Sequence, residues 1–332
     1  MTSFPLISIC VPVYNVESWI EKCARSLFEQ TYPNLEFVFV DDASTDNSMS
    51  ILLGLLKEYP HLQARVVCMR NESNRGSAYT RKRTIISAMG DFIFCVDADD
   101  YIEMNAIQLL YSAIEKHGGS IAEGAFVHHQ KGADVLYAAG KEVYDFYQVL
   151  RDETNNYTVP HLIRRDVLLK FDCFPPEGLN YLDDRYFMTC LRFFLHSQIS
   201  VQEVLYHYVA HPCSVSNGKG NKHFRCHLLF YQSIELFLKH HNVYEQYADT
   251  LAAQKVFDKA ALMLHCRDMK VRKQYADLYR DEEKAYFHLL HRSTKVVAWL
   301  VHNHYWAGLR LYQYYVDLRE WSKTTAFLQI SR

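Results

Sequence analysis

Short, continuously apolar runs rich in β-branched residues alternate with stretches of helical spacing through the first hundred positions. "LISICVPV" (Leu6 to Val13), "LEFVFVDD" (Leu35 to Asp42), "ARVVCM" (Ala64 to Met69) and "DFIFCV" (Asp91 to Val96) read as four strands. Between them, apolar residues three and four apart predict helices over Trp19 to Gln30, Met49 to Tyr59 and Ser77 to Met89, with "STDNS" offering N-cap residues to the second. Strands that are apolar at every position are buried on both faces. The repeat therefore predicts an α/β fold: a Rossmann-like, mostly parallel sheet with helices on both faces and right-handed crossovers. Further along, "GSIAEGAFVHHQKGADVLYAAGKEV" (Gly119 to Val143) predicts a strand and a hairpin turning near Lys131 to Asp134, and "VPHLIRRDVLLKF" (Val159 to Phe171) a short strand and a helix. "SNGKGNKH" (Ser216 to His223) reads as a flexible link, either a lid carrying Lys219 or Lys222 or a domain boundary. From about residue 221 the spacing stays helical, which predicts an α-helical C-terminal region over 221–332.

In sheets of this kind ligands bind beyond the carboxyl ends of the strands. Polar residues gather at those ends: Pro12-Val13-Tyr14-Asn15 after the first, Asp41-Asp42 after the second, and Asp97-Ala98-Asp99-Asp100 after the fourth. A single Asp there is ordinarily a helix cap or loop residue. Three carboxylates in four positions repel one another unless a cation or strong donors neutralise them. With no HxxxH and no zinc-like Cys/His spacing, the fitting cation is a hard one, Mn²⁺ or Mg²⁺, bridging the carboxylates to a diphosphate. The chain lacks GxGxxG and GxxxxGK[ST] and is poor in glycine, which argues against dehydrogenase and P-loop chemistry.

A formal charge of −2 argues against a general nucleic-acid-binding surface, although residues from Asn221 onward carry 17 Lys+Arg against 11 Asp+Glu and leave the first part acidic. Nine cysteines without a CxxC pair, no secretory-type N-terminus and no apolar run long enough to span a bilayer predict reduced thiols in a cytoplasmic protein. The aromatic-rich segment Lys295 to Trp321, with Arg310 and Arg319, fits core packing, an oligomer contact or a membrane interface; packing is the expectation.

"SICVPVYNVESWIEKCARSLFEQTYPNLEFVFVDDASTDNS" and "NESNRGSAYTRKRTIISAMGDFIFCVDADDYI" resemble the two signatures of family-two inverting glycosyltransferases of the GT-A fold, DxD-containing and of the bacterial surface-polysaccharide type. The likeness is close over about residues 5 to 105 and looser over "GLNYLDDRYFMTCLRFF" (Gly178 to Phe194) and "LYHYVAHPCSVS" (Leu205 to Ser216). It implies a nucleotide-diphospho-sugar transferase domain over 1–220, with a donor half at 1–105 and an acceptor half at 106–220. Tyr14 would stack on the nucleotide base, near Asn15 and Glu17, with Asp42 accepting from a uracil or ribose. Tyr14 packed against the first helix is the alternative the residues themselves leave open. Arg81 would approach the diphosphate, with Arg75 nearby; these and Lys82 and Arg83 equally fit a solvated helix face. Thr80, Lys82 and Thr84 depart from the family's usual residues.

The resemblance further assigns Asp97, Ala98 and Asp99 to the donor and its metal, with Asp100 as a further metal ligand, and Asp184, beside Asp183, to the general base. An acidic pair at a helix start is also ordinary dipole electrostatics. His207 and His211 lie near the family's SxS segment, Ser214 to Ser216, and are either structural or close to the diphosphate or metal. The implied activity is inverting transfer of a hexosyl or N-acetylhexosaminyl group from a UDP-sugar to a glycan or lipid-linked glycan hydroxyl in cell-surface polysaccharide synthesis. Peripheral contact with the inner membrane face and homo-oligomers stay open. The rival reading is a nucleotide-sugar-binding protein that has lost catalysis.

Overall fold

The apolar runs of the first hundred residues are strands in the computed structural model, which describes residues 4–130, 134–211 and 220–317. The chain runs β1 (Ile7–Val13), α1 (Ile20–Phe28), β2 (Leu35–Asp41), α2 (Ser48–Leu56), β3 (Val66–Arg70), α3 (Ser77–Ser87), β4 (Phe92–Cys95), β5 (Tyr101–Ile102), α4 (Ala106–His117) and β6 (Ile121–His129). It continues through β7 (Val135–Tyr137), α5 (Phe146–Leu150), β8 (His161–Arg164), α6 (Arg165–Phe171), α7 (Asp183–Phe194) and β9 (Ile199–Val209). A helical part follows: α8 (Asn221–His240), α9 (Tyr244–His265), α10 (Met269–Gln274), α11 (Arg280–Tyr286) and α12 (Arg292–His302). Two units divide the chain, Met1–Ser214 and Val215–Arg332.

In the first unit the sheet order is β3-β2-β1-β4-β8-β6-β9-β5, with β7 on β6. The β1·β2, β1·β4 and β2·β3 pairs are parallel, as is the long β6·β9 pair. β8 runs antiparallel to both β4 and β6. Apolar runs report that a strand is buried and say nothing of its direction, so this reversal is a finding of the structure. β1 is the spine. Ile7, Ile9 and Val11 are fully buried with Leu27 of α1, Phe39 of β2, Phe94 of β4 and Leu110 of α4 in one core. β3, expected as a buried strand, is the edge, with Val67 exposed, because nothing pairs beyond it.

Between β6, β8 and α7 lies a buried polar network. Glu123 of β6 accepts from Asn155 Nδ2 at 2.6 Å and from Gln198 Nε2, with His161 Nε2 at 3.6 Å and Arg192 Nη2 of α7 at 3.8 Å. Burial pushes the Glu123 carboxyl up, but His161, Asn155 and Arg192 overcome it and hold the group down at about 2. Glu123→Ala is therefore expected to cost about 3–5 kcal/mol in urea unfolding, because it leaves the buried Arg192 without its counter-charge. A cost below about 1 kcal/mol would mean that Arg192 is satisfied without it.

The second unit packs Phe224, Met263, Val301 and Leu309 into its own core, with Trp306 and Tyr312 against it. The aromatic segment is split: Trp299, Tyr305, Tyr314 and Tyr315 are exposed, contrary to the expectation of packing. Among the described residues no helix is long and apolar enough to cross a membrane. The turn at Lys131 to Ala133, the Ser214 to Ser216 segment, Lys219, Arg319 and Trp321 lie outside the described residues.

Candidate active site

Two loops at the carboxyl rim are tied together by their own backbones. The loop after β1 gives Asn15 N to Ser44 Oγ (3.1 Å), Val16 N to Ser48 Oγ (2.8 Å) and Glu17 N to Asp46 Oδ2 (3.0 Å). In return Asn15 Oδ1 accepts from Thr45 N at 2.8 Å, and Glu17 Oε2 from Asn47 N at 3.0 Å. Asn15 and Glu17 thus shape the rim through loop contacts. Asn15 takes φ 50°, a left-handed turn that asparagine tolerates. Val13 ends β1 buried, beside Pro12, and the next residue, Tyr14, is 46% exposed.

Asp42 faces the next loop. Its Oδ1 accepts from Asn71 Nδ2 (2.6 Å) and Arg75 N (2.8 Å), and its Oδ2 from Gly76 N (2.8 Å), so the buried carboxylate holds the Asn74-Arg75-Gly76 turn. Gly76 has φ 89°, a conformation that strains any residue with a Cβ, and a Cβ there would also fall 2.1 Å from Asn180 Oδ1 and displace that side chain. Arg75 reaches Glu177 and lies over the Tyr79 ring, with its side chain substantially exposed. Lys82 lies over Phe174, and Arg83 donates to Arg70 O.

Arg81 is different: α3 buries it at the centre of an acidic cluster. Its Nη2 donates to Asp97 Oδ1 at 2.8 Å, while Nη1 lies 2.8 Å from both Asp183 Oδ2 and Asp184 Oδ1. One guanidinium therefore links the loop after β4 to the first turn of α7. Ser77 Oγ adds a bond to Asp183 Oδ2 (3.1 Å), and Thr158 Oγ1 donates to Asp184 Oδ1. The side chain of Asp184 keeps 26% of its surface open. Burial, opposed by Arg81 and reinforced by Asp183 and Asp97, pushes its carboxyl up to about 7, where a carboxylate is a competent proton acceptor near neutral pH.

The acidic trio does not converge on one point. Asp97 faces Arg81. Ala98 is buried. Asp99 Oδ2 meets His211 Nε2 at 2.6 Å, and the His211 ring stacks on Trp19 with centroids 4.1 Å apart. Burial, with Asp97 adding to it, raises the Asp99 carboxyl, while His211 opposes the rise. Asp100 is buried, its Oδ2 accepting from Tyr206 OH (2.6 Å) and its Oδ1 from Val209 N (2.8 Å). Both its oxygens are used inside the protein, which anchors β5 against β9. Tyr206 OH also accepts from Asp97 N at 3.2 Å. Among the described residues no group of three or more His, Cys, Asp or Glu side chains is disposed to hold a metal ion. The two histidines near the rim part company: His211 touches Asp99, whereas His207 joins His129 (3.0 Å) and Glu103 (2.8 Å) beneath the Tyr101 ring.

Thr158, Tyr206 and Asn180 are contributors that the sequence reading did not name. Thr158 carries no local signal, since Asp184 lies 26 residues away. Tyr206 sits in the loosely matching segment Leu205 to Ser216, buried next to buried Leu205, so burial along β9 does not alternate there to mark it.

This open α/β sheet, with an acidic rim joined by one buried arginine to an acidic helix start, has the GT-A glycosyltransferase fold, as the match to a glycosyltransferase family model and the likeness to solved structures show. The chain belongs to Glycosyl transferase family 2, whose family model matches residues 8–174. It is 29% identical over 270 residues to EpsH of Bacillus subtilis (strain 168), covering 79% of this chain and 77% of EpsH. In fold it is similar to S. aureus TarS 1–349 in complex with UDP: TM-score 0.67, 19% identity, 94% of this chain and 91% of that one. It is also similar to the Pyrobaculum calidifontis mannosyltransferase PcManGT in complex with GDP-Man and Mn²⁺, with TM-score 0.54, 19% identity, and 98% and 86% coverage.

Proposed function

We propose that this glycosyltransferase moves a sugar from a UDP-linked donor to a hydroxyl of a surface-glycan acceptor, with inversion at the anomeric carbon. The observation that carries the reading is Arg81, which ties Asp97 of the DxD loop to Asp183 and Asp184 through contacts of 2.8 Å each. Leaving-group and proton-accepting ends of the reaction thereby share one anchor. Exposed Tyr14 would stack on the base, with the Asp42-held turn closing the far side. Asp184 would take the acceptor's proton as that oxygen attacks C1 from the face opposite the diphosphate; the C1–O bond breaks, and the diphosphate keeps the electron pair. Direct displacement requires no covalent intermediate. Asp99 and His211, a carboxylate and an imidazole in contact, suit a divalent ion, Mn²⁺ or Mg²⁺, completed by diphosphate and water oxygens. Such an ion, when bound, would offset charge on the leaving diphosphate.

TarS in complex with UDP supports a uridine donor, and PcManGT in complex with GDP-Man and Mn²⁺ supports a divalent ion. Nucleotide-sugar use fits a cytoplasmic enzyme working at the inner membrane face, with residues 1–105 holding the donor and 106–220 the acceptor. Thermal melts of the full chain with UDP, GDP or dTDP, each with and without Mn²⁺, test the reading. UDP at about 100 times its Kd should add about 2.7 kcal/mol of stability, with Mn²⁺ required and Asp99→Asn abolishing the metal's effect. A larger response to GDP would replace the donor base, and no response to any nucleotide would end the proposal.

A further inference from the structure

Beside the candidate base, two tyrosines stand half out of the surface on one shared support. Tyr137 of β7 stacks on Phe126 of β6, with centroids 4.6 Å apart and rings 4° from parallel. Tyr157 meets the same Phe126 edge-on at 5.7 Å and 79°. Their residues are 39% and 49% exposed. Phe126 itself is buried in the core, so both rings rest on a fixed base.

The loop carrying Tyr157 is held firmly on either side. Tyr157 N donates to Asn155 Oδ1 at 3.1 Å, and the Asn155 side chain is tied to Glu123 at 2.6 Å. The next residue, Thr158, donates to Asp184. One backbone step therefore separates an open aromatic ring from the partner of the proton acceptor. Two exposed rings share one buried support, Phe126, and one of them is a single residue from the hydroxyl that donates to Asp184. Aromatic rings of this kind offer a polarised face to the C–H groups of a sugar ring and, through the phenol, a hydrogen-bond donor to its hydroxyls.

We propose that Tyr137 and Tyr157 form a stacking subsite for a neutral pyranose ring of the acceptor, which delivers one of its hydroxyls to Asp184. This rests on the transferase reading above and extends it to the acceptor's chemistry. Charge selects the occupant. Burial, together with Tyr137, Asp152, Tyr208 and Asp184, pushes the Tyr157 phenol up to about 12, so it stays a neutral donor, and those same carboxylates would repel a phosphate placed on the ring. A pyranose stacks without bringing charge, whereas a linear polyol phosphate offers no flat C–H face and meets Asp152 and Asp184.

Saturation-transfer NMR on the full chain with UDP and Mg²⁺ present tests this, using methyl β-glucoside, methyl β-galactoside, methyl N-acetyl-β-glucosaminide and ribitol phosphate as probes. At least one pyranoside should receive saturation at its ring C–H protons, and Tyr137→Ala and Tyr157→Ala should each weaken its binding about five-fold, with the Phe variants close to wild type. UDP melting shifts measured on each variant report that the fold and donor end are intact. Pyranoside binding unchanged in both Ala variants, or ribitol phosphate saturated in place of every pyranoside, overturns the subsite. So does wild-type protein that binds UDP and none of the pyranosides, an outcome that leaves the transferase reading standing. Failure to bind UDP would instead remove both.

Discussion

Asp184→Asn will lower sugar transfer about 10²–10⁴-fold and leave UDP binding unchanged, the magnitude associated with loss of a positioned general base. The amide keeps the shape and the contact with Thr158 but cannot accept the proton. Wild-type activity should carry the same group's titration. Asp184 is pushed up to about 7 by burial and works only when deprotonated, so kcat/KM should fall about tenfold per pH unit below that value and level off above it. The Asn variant should lose this acidic limb. Transfer assays across about pH 5.5 to 8.5 check both statements, and a wild-type profile flat across that range would remove Asp184 from the base role.

Replacing the central guanidinium should cost as much stability as the loss of Glu123. Arg81→Met leaves Asp183, Asp184 and the partly buried Asp97 without their shared counter-charge, at an expected cost of about 3–5 kcal/mol. The sign of the pH dependence follows from linkage. Without Arg81, which opposes the rise, the Asp184 carboxyl binds its proton more tightly in the folded state than in the unfolded chain. Folding is then favoured at low pH, where Asp184 is protonated, and loses that contribution as pH rises through its folded pKa. The deficit of Arg81→Met in urea unfolding should therefore be smaller near pH 5.5 than near pH 8, and adding Asp184→Asn to Arg81→Met should recover part of it at the higher pH. An equal deficit at both values would show that the cluster is relaxed by water rather than held by Arg81.

Much of the first hundred residues was legible because its signals are local. The strands at Ile7–Val13, Leu35–Asp41 and Phe92–Cys95 follow from apolar runs bounded by polar residues, and α1 from its helical spacing. The ends of those strands place Tyr14, Asp42 and Asp97 on one rim from the sequence alone. What the partners of each group are was not legible. Asp42 is occupied by Asn71 and the Arg75-Gly76 turn, and Asp100 by Tyr206 and Val209, through contacts that cross 29 to 109 residues of chain. Spacing alone could not distinguish Asp100, turned inward, from Asp99, turned toward His211.

By itself the sequence determined the strand-helix order of the first hundred residues, the acidic rim above the sheet and the helical character beyond residue 221, since each depends on neighbours within a few positions. Only the tertiary structure decided that β8 reverses direction, that Arg81 gathers Asp97, Asp183 and Asp184, that Thr158 reaches that cluster, and that two open tyrosines share Phe126. The physical reason is range: hydrophobic periodicity is written along the backbone, whereas a buried charge is assigned its partner by whichever distant side chain the packed core brings within about 3 Å.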